Sequence, residues 1–333
     1  MNESKVVLGL SGGVDSSVSA RLLMEQGYEV TGLFLDIGNA AARGDAEAAA
    51  QALGIPLEIR DISCALEERV CGPFAESYAA GRTPNPCVMC NPAVKFAALT
   101  DCADRLDARW IATGHYARAE DGALYKGRPE NDQSYMLCRV RREQVERLML
   151  PLGAYAKAEV RAMAEARGLP AAHKPDSMEI CFIPDNDYVG WLRARGVTPP
   201  PGDIVFHDAV IGRHEGIHRW TVGQRLPGLY DERKLYVGGI DAARNRLVAV
   251  LWEELFHTEV RARDFRWLID PPDAPIRGSV RVRHTKWEHP EATVTPEGDG
   301  VLAVCDEPVR APAPGQALAV YQGDRVIGGG IIC

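Results

Sequence analysis

The sequence predicts an α/β protein: a parallel sheet covered by helices, then a small β-rich module and a C-terminal β-barrel. Three observations carry this prediction. Strand and helix patterns alternate over the first half of the chain, a Pro-rich segment at residues 197–203 interrupts them, and helical patterns nearly vanish after it. Alternation of this kind favours a parallel sheet with helices on its faces. We place the domains at residues 1–200, 201–252 and 253–333.

The individual elements follow from local periodicity. An apolar run at residues 6–10 predicts the first strand, and apolar residues at helical spacing predict a helix over 14–24 that stops at Gly27. The first half also contains four further predicted elements: a strand at 30–36, an Ala-rich helix at 45–53 and strands at 57–62 and 109–113. Later β-type runs lie at 203–206, 216–221, 246–251, 280–284, 317–321 and 326–332. They predict the small module first and then a β-barrel or sandwich.

Composition narrows the class of protein. The chain has 333 residues, 46% of them hydrophobic and 25% charged, and no apolar stretch long enough to span a membrane. The first residues lead into a strand without a signal peptide, so we expect a cytoplasmic location and no membrane partner. Nine cysteines in such a chain favour catalytic or metal-binding use of some of them over a disulfide framework. With a net charge of −8, binding of a polyanion would need a local basic patch, for which segments 139–147 and 281–286 are candidates.

A glycine pair follows the first predicted strand and opens the first predicted helix, in the segment SGGVDSS at residues 11–17. Glycines at this position let the backbone approach a phosphate, and the N–H groups of a helix N-terminus point at the anion. The serines add hydroxyl donors, and Asp15 is a candidate ligand for Mg²⁺. The alternative is a tight turn with a capping side chain. No GK[ST] closes the loop, so the Walker pattern is not met.

The loop resembles that of the PP-loop ATP pyrophosphatases, which cleave ATP between the α and β phosphates. Within that superfamily the chain resembles the tRNA-specific 2-thiouridylases over nearly its full length. Their motifs match six further segments: GRTPNPCVMCN (81–91), ATGHYAR (112–118), NDQSYML (131–137), KPDSMEICFIP (174–184), TVGQR (221–225) and PGQ (314–316). The resemblance implies a PP-loop catalytic domain, a small central domain and a C-terminal β-barrel that contacts tRNA.

The resemblance also assigns residues to roles. Cys90 matches a nucleophilic cysteine, and Cys181 matches the cysteine that carries a persulfide. The residues that the resemblance assigns to ATP binding are Gly9, Leu10, Ser11, Gly12, Gly13, Val14, Asp15, Ser16, Leu35 and Gly114. The residues that it assigns to contacts with tRNA, some of them around the target base, are Asn85, Pro86, Cys87, His115, Asn131, Asp132, Gln133, Arg283, His284 and Gln316.

The implied reaction is ATP-dependent thiolation of C2 of the wobble uridine, position 34 of tRNA. Adenylation, with Mg²⁺ on the phosphates, turns a poor leaving oxygen into AMP, and a sulfur nucleophile then attacks C2. The sulfur source would be a sulfur-carrier protein, a cysteine desulfurase or free sulfide. In the persulfide route, Cys181 carries the extra sulfur and a Cys90–Cys181 disulfide remains after transfer.

One departure from the family pattern leaves the sulfur chemistry open. Better-known members have Asp three residues before the nucleophilic cysteine, where this chain has Cys87. Cys87, Cys90 and Cys181 suit three-point ligation of a [4Fe–4S] cluster. The persulfide route needs Cys90 and Cys181 alone. A zinc site would need a fourth ligand, for which His173 is the nearby candidate.

Two further departures bear on the binding regions. The usual insertion after the second strand is missing, and LPGLY replaces a glycine-rich stretch at residues 226–230. Two other functions compete with thiolation: another PP-loop ligase that acts on a small molecule, and a non-catalytic RNA-binding protein. Asp15, Cys90 and Cys181 count against the RNA-binding alternative, because such a protein would need none of them.

Overall fold

The computed structural model describes residues 1–174, 180–228, 230, 233–284 and 289–333. Residues 175–179 of the predicted Cys181 motif, Leu229, and residues 285–286 of the second basic segment lie outside these ranges. The first half of the chain forms seven strands: β1 (Asn2–Gly9), β2 (Glu29–Asp36), β3 (Leu57–Asp61), β4 (Ala108–Ala112), β5 (Ala117–Glu120), β6 (Ala123–Lys126) and β7 (Leu148–Met149). Five of them form the expected parallel sheet, in the order β3-β2-β1-β4-β7.

Helices pack on both faces of this sheet and bury two apolar clusters against it. They are α1 (Val14–Glu25), α2 (Ala40–Leu53), α3 (Ser63–Leu66), α4 (Gly72–Ala79), α5 (Pro86–Cys90), α6 (Phe96–Arg105), α7 (Ser134–Leu137), α8 (Arg142–Val145), α9 (Lys157–Ala166) and α10 (Tyr188–Ala194). Two π turns, Glu67–Cys71 and Asn91–Lys95, join α3 to α4 and α5 to α6 without a break in helical backbone.

Helix α2 begins five residues earlier than the sequence predicted. Asn39 caps it, because its Oδ1 accepts the Ala42 backbone N–H at 3.1 Å. Its alanines favour helix, and it ends at Gly54, whose φ of 69° is easily adopted by glycine. The first turn of α2 is mostly exposed and lacks an apolar stripe, so hydrophobic periodicity does not reveal where the helix begins.

The second half of the chain forms two further sheets, as expected. The central module has the strand order β10-β11-β8-β9, and the last six strands close into a barrel because β12 pairs with both β15 and β17. The strands are β8 (Gly202–Phe206), β9 (Ala209–His214), β10 (Tyr236–Asp241), β11 (Arg246–Val250), β12 (Phe256–Trp267), β13 (Ile276–Arg281), β14 (Glu291–Glu297), β15 (Gly300–Arg310), β16 (Ala317–Gln322) and β17 (Arg325–Ile332).

Two strand predictions in this half need correction. Residues 216–221 contain a 3₁₀ turn, Ile217–Arg219, in place of a strand. Ile217 and Val222 are buried in two different apolar clusters, so the segment connects two small cores and does not lie along one sheet face. The strand predicted at 280–284 is β13, which starts earlier and ends at Arg281, where the side chain enters a buried ion pair.

The barrel is continuous with the first half of the chain. The β5–β6 hairpin extends the barrel sheet through pairing of Tyr125 with Arg325. This attachment ties the loops that follow β4 to the C-terminal module, which the sequence did not indicate. No helix among the described residues is long and apolar enough to cross a membrane.

Candidate active site

The carboxyl ends of the parallel strands gather the predicted nucleotide-binding residues. The sheet order places β1 between β2 and β4, so the connections after β1 and β4 leave in opposite directions and open a crevice between them. Ligands of open parallel sheets bind in such crevices. The loop after β1 carries Ser11 to Gly13, β2 ends just past Leu35, and Gly114 follows β4. The structure therefore brings the predicted ATP-binding segments together at one edge.

Hydroxyl groups hold the phosphate loop in shape. Ser16 Oγ accepts the Ser11 backbone N–H at 3.2 Å and donates to the Gly13 carbonyl at 3.2 Å, while Ser17 Oγ donates to the same carbonyl at 2.9 Å. Gly13 caps α1 without a side chain, and the first N–H groups of a helix have no acceptor within the helix. These donors face the crevice, so they suit an anion such as a polyphosphate.

The two loop glycines have different reasons to be glycine. Gly12 has φ of 75°, and a Cβ there would lie 2.4 Å from the backbone carbon of Asp45 on α2. Gly13 has an ordinary backbone, and a Cβ would meet only Ser11 Oγ at 3.5 Å. Gly12 is therefore required by the packing of the protein itself, whereas Gly13 leaves its space open toward the crevice.

We expect Gly13→Ala to fold normally and to lose turnover by about 100-fold, because a methyl group would displace the phosphates by roughly 1 Å. Gly12→Ala should instead destabilise the fold by about 1–2 kcal/mol or more, from left-handed backbone strain and the clash with α2. Thermal unfolding and pyrophosphate release measured on both variants test this. Equal unfolding temperatures for the two variants would contradict it.

Asp15 is held by two partners on other elements. Lys157 at the start of α9 places Nζ 2.7 Å from both carboxylate oxygens, and the Tyr116 hydroxyl donates to Oδ1 at 2.6 Å. Gly114 makes this approach feasible, since a Cβ at that position would lie 3.0 Å from the Asp15 backbone carbon. In this structure Asp15 is therefore ion-paired with Lys157. To bind Asp15, Mg²⁺ would have to displace Lys157, and to bind Lys157, a phosphate would have to displace Asp15.

His115, a predicted tRNA contact, directly follows Gly114 in the loop after β4 and packs against α6. Its Nδ1 shares a hydrogen bond of 2.7 Å with Thr113 Oγ1, and its ring stacks on Phe96 at 6.2 Å between centroids. Burial, and next the charge of Lys95, hold the pKa of His115 well below its usual value. The imidazole is therefore neutral near pH 7.

The predicted nucleophile, Cys90, ends a short helix that begins at a capped proline. Asn85 Oδ1 accepts the backbone N–H groups of Cys87 at 3.1 Å and of Val88 at 3.2 Å, and Pro86 occupies the first helical position. Cys87 is exposed and Cys90 half-buried. The Asn-Pro pair of the motif thus has a structural role, as cap and start of α5.

An aromatic anchor fixes Cys181. The neighbouring Phe182 packs edge-on against Phe74 at 5.5 Å and lies 5.3 Å from Trp191. The sulfur of Cys181 remains on the exposed side, yet the surrounding groups raise its pKa through desolvation. Cys181 is therefore held next to α4 and α10.

The thiols lie close enough to influence one another. Burial raises the pKa of Cys90 to about 11, Lys95 lowers it, and the neighbouring Cys181 and Cys87 add smaller increases. Cys71, for which the sequence indicates no role, belongs to the same group: burial raises its pKa to about 11, and Cys181 and Cys90 add smaller increases. All nine cysteines are free thiols in this structure.

The thiols do not fit a metal cluster in this arrangement. Within the described ranges, no group of three His, Cys, Asp or Glu side chains is placed to hold a metal ion. The set Cys87, Cys90 and Cys181 therefore gives no support to the [4Fe–4S] expectation, nor does His173 to a zinc site. Asp15 can serve Mg²⁺ only together with the phosphates of ATP, which is how proteins usually hold this ion.

Asp132, one of the predicted tRNA contacts, is buried in an ion pair that joins the first half of the chain to the barrel. Its Oδ2 lies 2.8 Å from Nη1 of Arg281, and both residues are less than 10% exposed. The same carboxylate accepts the Ser134 hydroxyl at 2.9 Å and the Gly127 backbone N–H at 2.8 Å. In this structure Asp132 thus braces the loop that carries its neighbours.

Asn131 and Gln133 flank that ion pair. Gln133 Oε1 accepts the Tyr116 backbone N–H at 3.0 Å, which fixes the loop after β4 beside the phosphate loop. Asn131 Nδ2 lies 3.4 Å from the Tyr155 carbonyl. The three predicted contacts at 131–133 therefore sit together and connect the nucleotide crevice to the barrel.

Arg283 and His284 follow the strand that provides Arg281. The Arg283 guanidinium donates to the backbone carbonyls of Ala311 and Val222, which joins the barrel to the central module. His284 is exposed and shares a hydrogen bond of 3.2 Å with Arg281. Contact with tRNA stays a prediction for both.

Thr83 is the point where all three modules meet. Gln316 Nε2 donates to its carbonyl at 2.9 Å, its N–H donates to Pro314 at 2.8 Å, and its hydroxyl lies 3.1 Å from that of Thr221. Thr83 precedes the cap of the Cys90 helix by two residues. The barrel loop with Gln316 therefore contacts the segment that positions the thiols.

A cavity of about 490 Å³ lies elsewhere, at the amino-terminal edge of the sheet. Its lining includes Lys5, Tyr28 and Leu106 and none of the predicted site residues. We therefore assign no part of the reaction to it.

Sequence reasoning missed Lys157, Lys95, Cys71 and Thr83. Lys157 opens a predictable helix, but nothing in its spacing relates it to Asp15. Lys95 is five residues after Cys90, a spacing that regular helix geometry places on another face. Thr83 lies in the motif at residues 81–91, two residues before Asn85, so its place in that motif could have indicated a role near the site.

The fold and the site together define a nucleotide-binding α/β protein with a phosphate loop, a group of neighbouring thiols and an attached β-barrel. Three protein-family models match: a tRNA methyl transferase HUP domain over residues 4–185, a tRNA methyl transferase PRC-barrel domain over 193–250, and an aminomethyltransferase beta-barrel domain over 257–332. They agree with the three sheets described above.

Similar proteins match over almost the whole chain. The tRNA-specific 2-thiouridylase MnmA of Syntrophotalea carbinolica is 41% identical over 98% of this chain and 98% of its own. MnmA 1 of Caldanaerobacter subterraneus is 41% identical over 99% and 98%, and MnmA of Geobacter metallireducens 39% over 98% and 96%. The chain belongs to the tRNA-specific 2-thiouridylase family. The family and the enzyme class predicted from the sequence, a tRNA-uridine 2-sulfurtransferase, are confirmed.

Proposed function

We propose that this protein thiolates C2 of the wobble uridine, position 34 of tRNA, through an adenylated uridine and a persulfide on Cys181. The observation that carries the proposal is the neighbourhood of Cys90 and Cys181, which come from distant segments of the chain: Cys181 is near enough to raise the pKa of Cys90. The proposed site thus combines an ATP-binding loop with two neighbouring thiols.

The first half-reaction uses the phosphate loop. The uridine O2 attacks the α-phosphorus of ATP, the bond to the β-phosphate oxygen breaks, and pyrophosphate leaves. Backbone N–H groups at the start of α1, together with Lys157, would stabilise the charge on the departing phosphates. Mg²⁺ brought with ATP would neutralise part of that charge, with Asp15 as the protein carboxylate nearest the loop.

The second half-reaction uses the thiols. Cys90 attacks the sulfur of Cys181 that bears the persulfide, hydrosulfide leaves, and a Cys90–Cys181 disulfide forms. The hydrosulfide attacks C2 of the adenylated uridine and displaces AMP. The sulfane sulfur is reduced by two electrons, which the two cysteines supply, so an external thiol must reduce the disulfide before the next cycle. Cys87 has no step in this scheme.

Two observations favour thiolation over methyl transfer, the activity that two of the domain descriptions mention. Transfer of a methyl group requires neither cleavage of ATP nor a second thiol, whereas this chain has both a phosphate loop and two neighbouring thiols, Cys90 and Cys181. Nucleoside analysis of bulk tRNA from a deletion strain tests the proposal. Loss of 2-thiouridine, restored by the gene, is the expected result.

Other outcomes of that analysis would support the alternatives. Unchanged 2-thiouridine with loss of a methylated nucleoside would indicate a methyl transferase. A fully unchanged nucleoside profile would favour a small-molecule PP-loop ligase or a non-catalytic RNA-binding protein, and release of pyrophosphate from ATP without tRNA would separate these two.

Affinity for tRNA should fall at least about tenfold between about 50 and 200 mM salt, despite the net charge of −8. Phosphate contacts release counterions whatever the overall charge of the protein. Arg283→Ala should weaken binding, and because Arg283 also bonds two backbone carbonyls, it should lower the unfolding temperature. Filter binding at several salt concentrations measures the effect.

Arg277→Ala is the matched control, because Arg277 lies on β13 in the same barrel but is exposed and paired with Asp306. It should leave both affinity and stability nearly unchanged. Salt-independent binding by the parent enzyme would refute the electrostatic part of the proposal.

A further inference from the structure

Lys95 stands on the same helical path as Cys90, one π turn further on. The residues between them form the π turn Asn91–Lys95, in which the Phe96 backbone N–H bonds the carbonyl five residues back, that of Asn91. In a regular α-helix, a residue five positions on lies about 140° around the axis. A π turn instead brings it close to the position that the fourth residue takes in an α-helix, on the face of the first residue, and such turns are frequent at functional sites.

The π turn therefore directs Lys95 to the face that carries Cys90. The charge of Lys95 acts on Cys90, on Cys181 and on His115, which come from three separate segments of the chain. The side chain is half-buried, and no ion pair joins it to a carboxylate among the residues that the structure describes.

Two observations indicate that the charge of Lys95 acts on the thiols. Burial opposes the thiolate forms of both Cys90 and Cys181, and Lys95 is the foremost group that opposes this effect at each of them. Water would screen the charge of a fully exposed lysine. The Lys95 side chain is half-buried, so its charge is screened less and acts more strongly on nearby desolvated sulfur.

We propose that Lys95 is a positioning residue for sulfur transfer, which holds the negative charge on Cys90 and on the hydrosulfide released from Cys181. This inference rests on the persulfide route proposed above. When Cys90 attacks Cys181, an electron pair moves from the Cys90 thiolate into the new disulfide bond, and the pair of the broken S–S bond leaves on hydrosulfide. The Lys95 ammonium stabilises this negative charge electrostatically and gives up no proton.

The test measures thiol reactivity on the full chain without ATP or tRNA. Lys95→Met should slow alkylation of Cys90 by iodoacetamide at pH 7.5 roughly tenfold, because one nearby charge changes the thiolate fraction by about that factor. Lys95→Arg should restore most of the rate. Mass spectrometry resolves alkylation at Cys90 and Cys181 separately from the other thiols.

Arg105→Met is the matched control, since Arg105 ends the same helical path and makes an exposed ion pair with Glu58. It should alkylate like the parent enzyme. In turnover, Lys95→Met should lower kcat and leave the KM for tRNA unchanged, as expected of a group that acts on the reacting sulfurs.

Equal alkylation rates in Lys95→Met and the parent would overturn the proposal. A rise in KM alone, with kcat and alkylation unchanged, would also overturn it and indicate a tRNA contact. If the parent enzyme formed no 2-thiouridine while Lys95→Met still slowed alkylation, the proposed function would fail and the role of Lys95 toward the thiols would stand.

Discussion

Cys90→Ser and Cys181→Ser should each lose 2-thiouridine formation by about 10,000-fold or more, because a hydroxyl can neither carry a persulfide nor close the disulfide. Both variants should still bind ATP and tRNA and release pyrophosphate, since the phosphate loop lies on a different segment. Binding, pyrophosphate release and nucleoside analysis on the same preparations separate the two half-reactions. Loss of pyrophosphate release in Cys90→Ser would contradict this division.

Two other cysteines complete the experiment. Cys64→Ser, at an exposed thiol outside the site, should be neutral. Cys87→Asp should keep most of the activity, because Cys87 has no step in the persulfide route. If Cys87→Asp lost activity as severely as Cys90→Ser, and the anaerobically prepared parent held iron, the persulfide route would be wrong and three-cysteine ligation would be favoured.

Sequence alone predicted most of the catalytic fold because the apolar runs of buried parallel strands are long and the alanines of α2 favour helix strongly. It failed at residues 216–221, where Ile217 is buried in one apolar cluster and the next residue after the segment, Val222, is buried in another. It also missed the attachment of the β5–β6 hairpin to the barrel, since strand pairing between distant segments leaves no local pattern.

The residues of the site also divide into those that the sequence predicts and those that it does not. The local sequence signature of a phosphate loop predicts Gly12, Gly13 and Asp15, and the resemblance to the family predicts Gly114; contact of these residues with ATP stays a prediction. The ion pair of Asp15 with Lys157 and the charge of Lys95 beside the thiols could not be predicted, because the first depends on tertiary packing and the second on a π turn. The helical period of 3.6 residues, on which sequence patterns depend, does not apply there.

Lys157→Met should lower pyrophosphate release by roughly 100- to 1000-fold, as expected when one preorganised cation is removed from a site of developing charge. In the free protein Lys157 Nζ is 2.7 Å from both oxygens of Asp15. When ATP enters, we expect Mg²⁺ to take Asp15 and the ammonium to turn to the phosphates. Asp15→Ala should therefore be inactive too, for loss of the metal contact, while it remains folded.

Tyr116→Phe provides the graded control for this pair. It removes one hydrogen bond to Asp15, of 2.6 Å, and keeps both charges, so its loss should be about tenfold at most. Calorimetric titration with ATP and thermal unfolding on all three variants separate loss of binding from loss of fold. Normal pyrophosphate release by Lys157→Met would show that the lysine only neutralises Asp15. That outcome would leave the helix N-terminus and Mg²⁺ as the sole stabilisers of the departing phosphates.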